Sequence, residues 1–84
     1  MITKEEVADA VREVFNTALK IGPEKLQPDT KLMDDLSLDS LDMVEVVYEL
    51  EDRFDVQIPE NRIESIRTFQ QVVDGLHAAI ESKA

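Results

Sequence analysis

Residues 39–54, DSLDMVEVVYELEDRF, decide how this chain folds. At about 100° per residue, Met43, Val46, Val47, Leu50 and Phe54 gather along one direction, as the core stripe of an amphipathic helix does. Leu41, Val44 and Tyr48 lie to one side of that stripe. They separate it from an acidic sector made by Asp42, Glu45, Glu49 and Asp52, and Glu51 falls on the boundary between the two apolar groups. The apolar arc is about twice the ~100° a surface helix needs. Either the helix is central and buried on more sides, or Leu41, Val44 and Tyr48 stay partly exposed as an apolar patch rimmed by Glu45, Glu51 and Asp52. Glu51 favours the second arrangement, because an unpaired carboxylate is costly to bury. A helix is predicted from about Ser40 to Arg53 or Phe54, with Asp39 or Ser40 as its N-cap.

On the N-terminal side, Val7, Val11, Val14, Phe15, Ala18 and Leu19 recur at three- and four-residue spacing and predict a helix from about Thr3 to Leu19. Thr3 with Glu6 reads as a capping box, and Gly22-Pro23 as the stop. Between Ile21 and about Asp39, Gly22, Pro23, Pro28 and several Asp argue against a long helix. Ile21, Leu26, Leu32, Met33, Leu36 and Leu38 should nevertheless pack this connection down onto the helices. On the C-terminal side, Asp55-Val56-Gln57-Ile58 is a short exit, and Pro59 begins a short helix from Glu60 to about Ile66. Thr68, with Gln71 as its box partner, opens a last helix to about Glu81. The expected fold is all-α, one small domain with three principal helices and a short fourth.

The composition excludes several function classes. The 84 residues contain no Cys, so disulfides, thiolate metal sites and a protein thiol are absent. His77 is the single histidine, and no metal site is expected from it. No apolar run approaches the ~20 residues of a membrane span, and the first residues lack a signal peptide's apolar segment. A cytoplasmic protein without membrane insertion is expected. The net charge of −10 disfavours nucleic acid and anionic membranes. It should attract basic proteins over about 8–10 Å at physiological salt. Eight acids lie between Asp34 and Asp52 with no Lys or Arg among them, which suggests a partner as well as a solvated face.

Ser40 is the residue whose chemistry needs most care. Without further context it reads as a helix cap. As a nucleophile it lacks the elbow motif, a Gly-rich oxyanion loop, and any base other than the distant His77. Its surrounding acids would also disfavour an oxyanion. From the residues alone Ser40 therefore reads as a helix cap rather than a catalyst, and no enzyme activity is expected.

The segment Asp35-Leu36-Ser37-Leu38-Asp39-Ser40-Leu41-Asp42 closely resembles the attachment motif of acyl carrier proteins. The likeness runs on through Val44–Phe54, to Ile58-Pro59 and to Thr68-Phe69, and so covers nearly the whole chain. It implies that a phosphopantetheinyl transferase moves 4′-phosphopantetheine from coenzyme A to Ser40, with Asp39, Leu41 and Asp42 flanking the site. The arm's thiol then carries acyl groups as thioesters, for fatty acid or related polyketide and lipid synthesis. The resemblance further implies that Asp35, Leu41, Val44, Glu45, Tyr48, Glu51 and Asp52 bind partner enzymes with basic docking patches. It offers Val47, Leu50, Phe54, Ile58, Ile66 and Leu76 as candidates to line an acyl pocket, and a monomer is expected. Ser37 stands where common fatty-acid carriers have Gly. Arg53, Arg62 and Arg67 stand where acids are usual, and Tyr48 is larger than the usual residue. These departures point toward a specialised carrier. An aminoacyl or peptidyl carrier and a helical interaction domain without the arm are the alternative readings. A small calcium binder fits less well, because Asp34–Asp39 lacks the ligand alternation and Gly of an EF-hand loop.

Overall fold

A computed structural model describes residues 2–83. Helix α1 runs Lys4–Leu19, α2 Leu32–Leu36, α3 Ser40–Phe54, α4 Glu60–Ser65 and α5 Phe69–Lys83, with a 3-10 turn at Pro23–Lys25. The only β pairing among the described residues is an isolated bridge between Lys31 and Thr68. Among the described residues no helix is long and apolar enough to cross a membrane.

The three long helices lie where periodicity places them, and local chemistry sets their ends. Thr3 caps α1 by accepting the Glu6 amide at 3.1 Å, while Glu6 accepts the Thr3 amide at 3.2 Å. Thr68 and Gln71 repeat the arrangement for α5, at 3.3 and 3.0 Å. That helix continues two residues beyond the expected Glu81. The end of α1 is made before Gly22-Pro23 is reached. Lys20 turns left-handed at φ 58°, and its amide bonds Asn16 O at 3.0 Å. Pro59 sits just before α4 as its cap residue.

α1 packs against α3 and α5 through one continuous core. Phe15, Val46, Val47, Leu50, Phe69 and Leu76 lie at its centre, essentially out of water. Each buried aliphatic or aromatic side chain of this kind contributes about 1.5–3 kcal/mol. Asp74 on α5 meets Lys4 on α1 at 3.0 Å. A hydrogen bond from Gln70, and then the Lys4 charge, hold its carboxyl below its ordinary pKa.

The connection from Ile21 to Asp39 differs from expectation by containing α2. Five of its six apolar residues pack down: Leu26 and Leu32 are fully buried, and Ile21, Leu36 and Leu38 lie against the core, whereas Met33, on the outer face of α2, stays exposed against expectation. Backbone bonds fasten it to the junction of α4 and α5. The Leu32 amide donates to Arg67 O at 2.9 Å, Phe69 to Thr30 O at 3.0 Å, and Gln70 to Pro28 O at 3.0 Å. Arg12 adds a tie from α1. Its guanidinium donates to Leu26 O at 3.2 and 3.3 Å and lies 4.8 Å above the centre of the Phe69 ring. This stitched connection delivers the chain to the start of α3.

Candidate functional site

α2 ends at Ser37, which takes a left-handed conformation at φ 55°. Two residues later Asp39 caps α3. Its carboxylate accepts the Asp42 amide at 2.9 Å, and the Asp42 carboxylate accepts the Asp39 amide at 3.2 Å. The sequence allows Asp39 or Ser40 as the cap; the structure gives the role to Asp39 and makes Ser40 the first helical residue. Ser40 is exposed, and its hydroxyl has no hydrogen-bond partner among the described residues. Its own amide and that of Leu41 are first-turn donors with no partner there either. Such amides, at the positive end of the helix dipole, suit an anion. A phosphodiester on Ser40 fits this corner, because the two nearest carboxylates are already turned into the capping box.

The face of α3 beyond Ser40 is open. Leu41 is 76% and Tyr48 62% exposed, and Val44 is half-buried between them. Met33, from α2, adds a further exposed apolar side chain. Glu45, Glu49 and Asp52 stand exposed around the patch. Of the two arrangements open to a wide apolar arc, the partly exposed one is found. The other two predicted acids have structural partners. Asp35 accepts the Lys31 amide at 2.9 Å. Glu51 is half-buried and accepts the Ile58 amide at 2.7 Å, so the boundary carboxylate holds the exit from α3 in place.

A groove of about 450 Å³ runs from Ser40 between α3 and α4. Met33, Met43, Val44, Ile58, Ile63 and Ile66 give it apolar walls, while Tyr48, Glu51, Glu60, Glu64 and Arg67 supply polar ones. Of the predicted acyl-pocket residues, the structure brings Ile58 and Ile66 to this groove. Leu76 lines a second groove between α4 and α5, and Val47, Leu50 and Phe54 belong to the core or pack against it. Sequence reasoning missed Met33, Met43 and Ile63. Ile63 carries a readable signal, as the one apolar residue inside α4. Met33 carries none, because its position depends on α2. His77 lies away from the site: its ring contacts Ile2 O at 3.2 Å and Glu81 Oε1 at 3.1 Å. No cluster of His, Asp and Glu suited to a metal ion occurs among the described residues.

Residues 9–76 match the family described as phosphopantetheine attachment site. The acyl carrier protein of Chlorobium phaeovibrioides is 41% identical over 73 residues, which is 87% of this chain and 94% of the relative. That of Thermosynechococcus vestitus is 36% identical over 73 residues, 87% and 90% of the two chains. That of Myxococcus xanthus is 33% identical over 79 residues, 94% and 100%.

Proposed function

This chain belongs to the acyl carrier protein family, and we propose that Ser40 is the residue that bears its phosphopantetheine arm. The family is one of carriers, not catalysts, in acyl biosynthesis. One observation carries the assignment of the serine. Asp39 does the capping, which leaves the Ser40 hydroxyl exposed, unbonded and without a structural duty. The arm, when bound, supplies the thiol on which acyl groups travel as thioesters, in a chain with no cysteine of its own. Ser40 would anchor it, the unpartnered Ser40 and Leu41 amides would be the donors available to its phosphate, and the Asp39–Asp42 box keeps the helix end formed.

Family members are modified by a phosphopantetheinyl transferase and work with biosynthetic enzymes. For this chain we assign docking to Leu41, Val44 and Tyr48, with the exposed Glu45 and Asp52 as the acidic rim and Glu51, bonded to the Ile58 amide, as its inner, structural edge. The apolar centre supplies contact area, and the rim supplies steering toward basic patches. Such docking is fast, weak and salt-sensitive. The protein acts here as one carrier domain and as a monomer.

The test is to incubate the protein with coenzyme A, magnesium and a broad-specificity transferase, then weigh it. A mass gain of one phosphopantetheine group is expected, and Ser40→Ala should abolish it. A gain that persists in Ser40→Ala, or no gain in the wild type, would sink the assignment.

A further inference from the structure

The groove between α4 and α5 encloses about 380 Å³ and shares Ile58 and Ile66 with the Ser40 groove. These two side chains are therefore the partition between neighbouring spaces. We propose that the α4–α5 groove is the far compartment of the cargo site, and that it takes an acyl chain ending in a carboxylate, which pairs with Arg62. The proposal rests on the reading that Ser40 bears the arm.

Gly75 is the first reason. It lines this groove in the interior of α5, where glycine costs about 1 kcal/mol relative to alanine. Nothing in the backbone asks for it, since its φ is not positive. Nothing in the packing asks for it either: a Cβ at this position would meet no atom within 4 Å. What glycine does here is keep the trough beside Val72 and Leu76 unfilled.

The polar groups on the rim are the second reason. Asp74 is occupied by Lys4 at 3.0 Å and Gln70 at 2.8 Å. The Gln71 carbonyl accepts the Arg67 and Thr68 amides. The Ser65 hydroxyl donates to Arg62 O at 2.8 Å. The Asn61 amide and the Arg62 guanidinium have no side-chain partner among the described residues, and Arg62 is the one charged group of the two. An unmatched cation beside an apolar trough suits an anion with a hydrocarbon tail. A molecule with 19 acids and 9 bases repels free anions. An anion that reaches Arg62 is best delivered by tethering, which replaces bulk affinity with a high local concentration. The chain's own cargo meets that condition, and an acidic partner protein does not.

The experiment loads the intact protein from two acyl-coenzyme A donors of equal chain length, one ending in methyl and one in carboxylate. Mass confirms loading at Ser40 before anything else is read. The carboxylate-ended cargo should shift the Arg62 side-chain and Val72–Leu76 amide resonances more than the methyl-ended one. It should also slow thioester hydrolysis by about two- to fivefold relative to it, as expected for a pairing at an exposed site. Arg62→Gln should erase that difference. Gly75→Leu, which fills open space, should remove both the shifts and the protection, and Gly75→Ala should weaken them. Shifts confined to residues around Ser40, or protection unchanged in Gly75→Leu, would overturn the proposal. So would α5 shifts that arise only when a partner enzyme is added. Loading that fails at Ser40 instead overturns the attachment reading, and the proposal falls with it.

Discussion

Asp39→Ala removes the carboxylate that accepts the Asp42 amide and should cost about 1 kcal/mol of stability. Ser40→Ala removes a hydroxyl that bonds nothing among the described residues and should stay within about 0.5 kcal/mol of wild type. Urea unfolding followed by circular dichroism compares the two, and equal losses would mean that the serine shares the cap. The sequence could not separate these neighbours, because Asp and Ser are equally good caps. The familiar box signature has Glu or Gln at its third position, whereas here Asp42 fills it with a shorter side chain. Only the flanking motif singles Ser40 out in the sequence. The bond from Glu51 to Ile58 was not, because it spans the turn out of α3 and depends on where that turn goes.

Three helices end on a non-glycine residue in the left-handed region: Lys20 at φ 58°, Ser37 at φ 55° and Asp55 at φ 54°. An L-residue in that region costs about 1–2 kcal/mol, partly offset by glycine's greater freedom when unfolded. Lys20→Gly and Ser37→Gly should therefore each raise stability by about 0.5–1 kcal/mol, read as a higher urea midpoint at unchanged slope. Asp55→Gly should gain less, since it gives up the 3.0 Å contact with Lys83. A drop for Ser37→Gly would show that its side chain supports the approach to α3. The serine that replaces the usual glycine was visible in the sequence, yet its conformation could be read only by analogy. The long helices were legible because four turns give periodicity room to repeat. α2, with five residues inside a stretch rich in Pro and Asp, offers no such repeat. The Lys31–Thr68 bridge is set by tertiary approach, so no local pattern announces it.

A molecule of net charge −10 stores repulsion among its own carboxylates. Among the described residues the four ion pairs of Lys or Arg with a carboxylate are largely at the surface, and such pairs contribute about 1 kcal/mol or less each. Raising salt from ~0.01 to ~0.15 M shortens the screening length from about 30 to 8 Å. The thermal midpoint should rise as a result, measured by scanning calorimetry. A midpoint that falls would mean the ion pairs outweigh the repulsion. At this scale the acidity was plain from composition and the helical class from periodicity, while the two grooves were not, because each needs the placement of α4 against both neighbours. The contact between α1 and α5 has its own consequence during synthesis. A nascent chain cannot complete the packing of α1 until α5 has left the ribosome, so its core closes late. The tip of α3, where Ser40 stands, is thus backed by a finished core only after α5 has been made.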